Sequence, residues 1–344
     1  MQKEWNLLLK LTPELTEVAE KRYRILVNIS FYQPVGRRAL SDYMNMKERE
    51  LRNEIAVLKE KQLVKVENYG MVLTETGTSV LHGSREVIKN ISGLLDLEHD
   101  LKTLLKLENV IVVPGDACND ETVKQEMGAV AAKKLSQLIN SKDVVSVAGG
   151  TTLSNMAKMA PQKTKPQEIT ILPARGGLGE RVEIQANTVA AELADRFNCH
   201  YRMLHVPDEV GQGSLDMLMK EPRIKEIVTE IKQANILVHG IGIAEEMASR
   251  RGMSKDEIQK LLEKGAVGEA FGFYLNRNGK LVEKVNTVGL GLNDLENINK
   301  VMAISGGSDK AEAILAMLET GLCDILITDE GAGRNIQSMS KNRK

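Results

Sequence analysis

The stretch ITILPARGGLGE, residues 169–180, starts as a run of apolar and β-branched residues and then opens into an arginine and paired glycines. A short apolar run without polar alternation fits a strand buried on both faces. In an open α/β sheet, ligands bind beyond the carboxyl ends of the strands. A guanidinium on a loop almost bare of side chains, directly off such a strand, is therefore a candidate ligand contact.

Similar runs recur outward from this one: VIVVPG from Val110, VVSVAGG from Val144, YRMLHVP from Tyr201, NILVHGIG from Asn235, VMAISGG from Val301 and DILITDEGAG from Asp324. Helical periodicity fills the gaps, as over 123–139 and 310–318. Strands alternating with helices imply an α/β fold with a doubly wound, mainly parallel sheet covered on both faces. Residues 271–291 break the pattern. Their Asn276-Arg277-Asn278-Gly279 turn marks an antiparallel hairpin, expected as an insertion near the sheet edge.

Several strand ends carry glycine. Gly149-Gly150-Thr151-Thr152 follows the second run, Arg175-Gly176-Gly177 the third, Gly240-Ile241-Gly242 the fifth and Gly306-Gly307-Ser308-Asp309-Lys310 the sixth. Glycine lets the backbone approach a ligand, and the N–H groups opening the next helix favour an anion, phosphate above all. Hydroxyls from Thr151, Thr152 and Ser308 with cations from Arg175 and Lys310 would complete a phosphate shell. One such loop alone is most simply a turn. Two of like design with an arginine loop between them point to a small phosphorylated metabolite. Neither matches GxxxxGK[ST] or GxGxxG, which disfavours nucleoside triphosphates and dinucleotides.

Arg250-Arg251 reads either as a further anion contact or as a solvated surface pair. Glu180, Glu269 and Asp329-Glu330 are the acidic candidates for accepting sugar hydroxyls. Among five histidines only His239, ahead of GIG, is placed to line a pocket, and a structural role is the simpler reading. No catalytic constellation, cofactor motif or metal-ligand spacing emerges. Cys118, Cys199 and Cys323 are far apart without CxxC pairing, so they read as small buried residues and not as a disulfide or zinc framework.

The 344 residues suffice for more than one domain, and the net charge of -1 hides an asymmetry. Residues 21–65 hold 11 Lys and Arg against 5 Asp and Glu, a basic head suited to a polyanion. That head reads as a helix over 13–30, a short helix from Arg37 to about Met44, a helix from near Lys47 with Leu51, Ile55 and Leu58 on one stripe, and a hairpin around Asn68-Tyr69-Gly70. This is the order of a winged helix-turn-helix. Arg49, Arg52 and Asn53, opposite the apolar stripe, are placed for base edges; Arg37, Arg38, Lys47 and Lys65 are placed for DNA phosphates. The 3% aromatic content is too low for single-strand stacking platforms. Between head and body, Val87, Ile91, Leu94, Leu101 and Leu105 form a heptad-like stripe that either packs on the body or pairs with a second copy. The expected parts are thus a winged head over 1–83, a linker helix over 84–107 and an effector-binding body over 108–344. No apolar run is long enough to cross a membrane and no signal peptide is evident, so a cytoplasmic protein is expected.

The series PVGRRALS, LRNEIAVLKEKQLV, GGTT, PARGGLGE, QANT, VHGIG, EAFGFY and TDEGA resembles the SorC/DeoR-type sugar-binding transcriptional regulators nearly end to end. The resemblance implies a winged-helix operator-binding domain and an effector domain similar to the glucosamine-6-phosphate deaminase and ribose-5-phosphate isomerase folds. It implies a homodimeric or homotetrameric repressor of glycolytic genes, relieved by a phosphorylated sugar, with fructose 1,6-bisphosphate the expected effector. Carried over residue by residue, Gly149, Gly150, Thr151 and Thr152 would hold one phosphate. Arg175, Gln185, Arg250, Arg251, Glu269 and Lys310 would complete the site; Gln185 comes from the resemblance alone. The alternative is an active isomerase or deaminase with an added DNA-binding module. Against it, HGIGIAEEM lacks the Asp-x-His pair that the deaminases carry on the corresponding loop.

Overall fold

The computed structural model describes residues 11–177 and 181–341. Helices α1 (Pro13–Tyr32), α2 (Arg37–Tyr43) and α3 (Glu48–Glu60), the hairpin β1 (Val64–Glu67) and β2 (Gly70–Leu73), and helix α4 (Glu75–Ile91) build the amino-terminal part. The stripe of α3 is buried as the spacing requires: Leu51, Ile55 and Leu58 pack with Ile25 and Ile29 of α1, Leu40 of α2 and Met71 of β2. Burying each of these side chains contributes roughly 1.5–3 kcal/mol. α3 begins at Glu48, and Lys47 offers it no side-chain cap. Ion pairs to α1 hold it instead, Lys21 to Glu50 at 2.6 Å and Arg22 to Glu54 at 2.8 Å.

The expected linker helix over 84–107 is two helices. Gly93, at φ 68°, turns the chain between α4 and α5 (Leu94–Leu105), a conformation that glycine adopts without steric cost. The stripe is split with it. Leu94, Leu97 and Leu101 are buried in the body core, whereas Val87 on α4 is 57% exposed.

The body runs β3 (Asn109–Val113), α6 (Glu121–Leu138), β4 (Val144–Val147), α7 (Thr151–Met159), β5 (Thr170–Pro173), α8 (Ala186–Phe197), β6 (His200–Tyr201), α9 (Gln212–Leu218) and α10 (Pro222–Lys232). It continues with β7 (Ile236–His239), β8 (Gly242–Ile243), α11 (Ala244–Arg250), α12 (Lys255–Glu263), β9 (Ala266–Ala270), β10 (Phe273–Asn276) and β11 (Leu281–Lys284). It closes with β12 (Lys300–Ile304), α13 (Ala311–Leu318), β13 (Ile325–Asp329) and α14 (Glu330–Lys341). All seven apolar runs of the sequence fall in one sheet of order β3-β13-β12-β7-β4-β5-β6, and every pair in it is parallel. Alternate residues serve two cores. Ile171, Val238 and Met302 face α6, α7 and α8; Leu172, Leu237 and Val301 face α5, α10, α13 and α14. That double burial explains why the strands read as unbroken apolar runs. Of the run from Tyr201 only its first residue is in a strand, the two-residue β6.

The hairpin of residues 271–291 is present but not at the edge of this sheet. β10 and β11 belong to a separate antiparallel sheet of order β11-β10-β9-β8. β8 follows β7 after only Gly240 and Ile241, so the second sheet starts at the carboxyl end of a central strand.

Candidate functional site

From β4 the chain moves outward through β5 and β6; from β7 it moves the other way through β12 and β13. Beyond the carboxyl ends of β4 and β7 is therefore the switch point of the sheet, where the flanking connections diverge and leave a crevice. A cavity lies there, lined by Gly149, Gly150, Thr151 and Thr152 after β4, Arg175 after β5, Gln185 ahead of α8, Gly240 to Gly242 after β7, Arg250 of α11, Glu269 of β9, and Ser305 and Lys310 after β12. The structure thus gathers nine of the ten residues carried over from the family pattern, drawn from 162 residues of chain.

Two helices, α7 and α8, open onto this cavity behind Gly150 and Gln185, and neither has a side-chain cap bond. Their leading N–H groups and the positive ends of their dipoles suit an anion. Gly150 has φ 125° with open space where a Cβ would stand, whereas at Gly149 a Cβ would come 2.5 Å from the Ile184 carbonyl. Gly176 lines the cavity and is also needed for packing: its Cβ would lie 2.5 Å from the Val206 carbonyl. The loop is pinned there, Gly176 N donating to Val288 O and Gly177 N to Val206 O, each at 3.0 Å.

Charge is arranged in two tiers. Lys310 is half-buried at the cavity, and its side chain has no hydrogen bond or ion pair among the described residues. Behind it lies a cluster of two guanidinium and two carboxylate groups. Arg251, whose side chain has 0% exposure, donates to Asp208 at 2.8 Å and to Glu269 at 3.0 Å. Burial works against its charge, but the adjacent Glu269 and Asp208 more than offset this and raise its pKa. Arg251 does not line the cavity, so neither the direct anion contact nor the solvated pair expected from sequence matches its position; it holds Glu269 from behind. Arg175 stands 3.5 Å from Asp208 and 3.6 Å from Glu269, and its Nη1 makes no hydrogen bond. An unmet buried donor costs about 1–3 kcal/mol, a cost that an anion in the cavity would relieve.

Other expectations are corrected. Ser308 turns away from the cavity, with Oγ 3.6 Å from Cys118 Sγ; Ser305 takes a place in the lining. Asp329 is buried and accepts from Ala117, Gly307 and Ala332 N–H groups. Glu180 lies outside the described residues. Only Cys323 is buried among the cysteines; Cys118 is exposed and Cys199 intermediate. Among the described residues no cluster of potential metal ligands occurs.

His239 is wholly internal. Nδ1 donates to Gly240 O at 2.9 Å, leaving Nε2 to accept from Cys323 Sγ at 3.6 Å. Burial pushes its pKa down to about 4, against smaller raising effects of Gly240 O and Glu269. Since the folded-state value lies below the ordinary 6.5, the stability it contributes is complete above that pH and lost as pH falls through about 4. Urea midpoints measured across this window should fall with acid in the wild type and fall less in His239→Gln.

In the amino-terminal part, Arg37, Arg38, Lys47, Arg49, Arg52, Asn53 and Lys65 are all exposed, and none of their side chains has a hydrogen-bond or ion-pair partner among the described residues. A helix presenting unpaired arginines ahead of a β-hairpin, joined to a sheet with a polar cavity at its switch point, defines a DNA-binding regulator with a small-molecule pocket.

The comparisons agree. Residues 89–337 match the model of a sugar-binding domain family, and residues 18–88 match that of the CggR N-terminal DNA binding domain. The chain is 44% identical over 328 residues to the central glycolytic genes regulator of Priestia megaterium, covering 95% of this chain and 96% of that one. It is 42% identical over 327 residues to the regulator of the same name from Bacillus subtilis, with the same coverage. A SorC family transcriptional regulator from Enterococcus faecalis superposes with a TM-score of 0.65 at 37% identity, over 70% of this chain and 99% of that one. The full-length sorbitol operon regulator SorC from Klebsiella pneumoniae, at 17% identity and TM-score 0.66, shares the fold over 92% of this chain and 99% of its own. The chain belongs to the SorC-type family of sugar-binding transcriptional regulators. It is a regulator rather than an isomerase or deaminase, as its relatives are. No described helix is long and apolar enough to cross a membrane.

Proposed function

We propose that the protein represses glycolytic genes by binding operator DNA through residues 1–83, and that fructose 1,6-bisphosphate, bound in the body over 108–344, relieves the repression. Residues 84–107 join the two. The observation that carries this reading is the convergence of two uncapped helix starts with Lys310, Arg250 and the under-bonded Arg175 on one cavity. Positive potential from two helix starts and three cationic side chains suits a ligand with two separated phosphates, and Glu269 suits the hydroxyls between them. The name shared by two relatives above 40% identity supports a glycolytic role. A homodimer or homotetramer acts on the operator, and exposed Val80 and Val87, seven residues apart on α4, favour pairing of copies.

Calorimetric titration with fructose 1,6-bisphosphate, fructose 6-phosphate and inorganic phosphate tests the pocket. Operator duplexes selected in vitro, titrated with and without the bisphosphate, test the regulation. Absence of binding by any sugar phosphate, or an operator affinity indifferent to saturating ligand, would overturn the proposal. On the DNA side, Arg52→Ala should weaken operator binding by about 1–3 kcal/mol and relax preference at one base pair, leaving sugar binding intact. Unchanged sequence preference would remove Arg52 from base contact.

A further inference from the structure

The segment between β3 and α6, residues 114–120, touches the pocket loop on one side and the DNA-binding part on the other. On the pocket side, Asp116 Oδ1 accepts from Ser308 N at 3.0 Å, two residues before Lys310. Cys118 Sγ donates to Asp309 Oδ1 at 2.8 Å beside it. On the head side, Asp120 forms an ion pair with Arg24 of α1, and Arg24 also reaches the Pro114 carbonyl and Glu126, each at 3.3 Å. Asp116 ties the ends together. Its carboxylate also accepts from Cys118 N at 2.9 Å, and its carbonyl accepts from Asn119 N and Asp120 N at 3.0 and 3.1 Å. α1 in turn carries α3 through the Lys21–Glu50 and Arg22–Glu54 pairs.

We propose, resting on the reading of pocket and head above, that this segment is the coupling latch. Asp116 transmits the position of the Lys310 loop to Arg24, and so to the recognition helix. A phosphate that draws Lys310 inward pulls on Ser308 N. Ser308 N is held by Asp116, whose backbone places the carboxylate that grips Arg24. The contact between head and body near Arg24 is built largely of charges, with Glu126 also held by Tyr23 and Arg85. Polar interfaces of this kind leave domains free to move unless fixed by specific pairs. The ligand shifts the head only by binding the two arrangements unequally, and the latch is where that difference is read.

The test uses the full chain and two read-outs: bisphosphate affinity, and the ratio of operator affinities without and with saturating fructose 1,6-bisphosphate. Allosteric coupling amounts to about 5- to 150-fold in such a ratio. Asp116→Ala and Arg24→Gln should each keep bisphosphate affinity yet bring the ratio within about twofold of one, and the double variant should add nothing further. Asp116→Asn keeps the accepting oxygen and should respond like the wild type. If Asp116→Ala fails to fold, Arg24→Gln, at the far end of the segment, decides alone. A wild type that responds while these variants respond as fully overturns the latch and leaves the pocket and regulator reading intact. A wild type that binds bisphosphate but does not respond sinks both the proposed regulation and the latch.

Discussion

Replacing Arg251 with alanine should destabilise the body by about 3–5 kcal/mol, the range measured when one partner of a buried ion pair is removed. Its guanidinium has no solvent exposure and bridges Asp208 and Glu269 at 2.8 and 3.0 Å. Without it, two buried carboxylates face each other with only Arg175 nearby, at 3.5 and 3.6 Å. Arg175 would be drawn onto them and away from the cavity, so bisphosphate affinity should fall as well. Arg251→Lys should recover part of the stability at most, because a single ammonium does not span two carboxylates as a planar fork does. Calorimetric melting measures the loss. A loss below about 1 kcal/mol, the range of exposed ion pairs, would show that the cluster is not the keystone its burial suggests.

That cluster also marks where sequence reasoning stopped. The sheet was legible because double burial writes itself as continuous apolar runs, and all seven runs became strands of one sheet. The cavity loops were legible because glycine, threonine and a cation gather at strand ends for local reasons. Gln185 was reached only through resemblance to a family, since its place ahead of α8 depends on the fold bringing residues 182–186 over Gly149. Arg250 and Arg251 are neighbours with opposite fates, one at the cavity and one inside, and a single residue's rotation around α11 separates them. Asp208 carried no local signal at all; its importance comes from partners 33 and 43 positions away. The second sheet was missed in part because β8 has two residues and β9, Ala266–Ala270, includes a glycine and a glutamate, too little apolar content to read as a strand. The broken seam at Gly93 has a local cause, but a heptad count passes over one glycine without registering the turn.

Lys310→Ala should give the cleaner loss of effector binding. A charge-assisted hydrogen bond is worth about 1.5–3 kcal/mol, so the bisphosphate dissociation constant should rise roughly 10- to 150-fold. The change is clean because the Lys310 side chain has no partner among the described residues, so its removal orphans no carboxylate and leaves the melting temperature of the body nearly unchanged. Arg175→Ala should weaken binding comparably, but it also strips charge from beside Asp208 and Glu269, and its effect mixes binding with stability. Comparing ligands separates the two. If Lys310 meets one of two phosphates, the variant should lose most of its discrimination between fructose 1,6-bisphosphate and the monophosphate lacking that group. Arg175→Ala, if it meets the other phosphate, should preserve that discrimination. Lys310→Ala with affinity and discrimination both intact would mean that the phosphate lies elsewhere and that the loop after β12 is not part of the anion site.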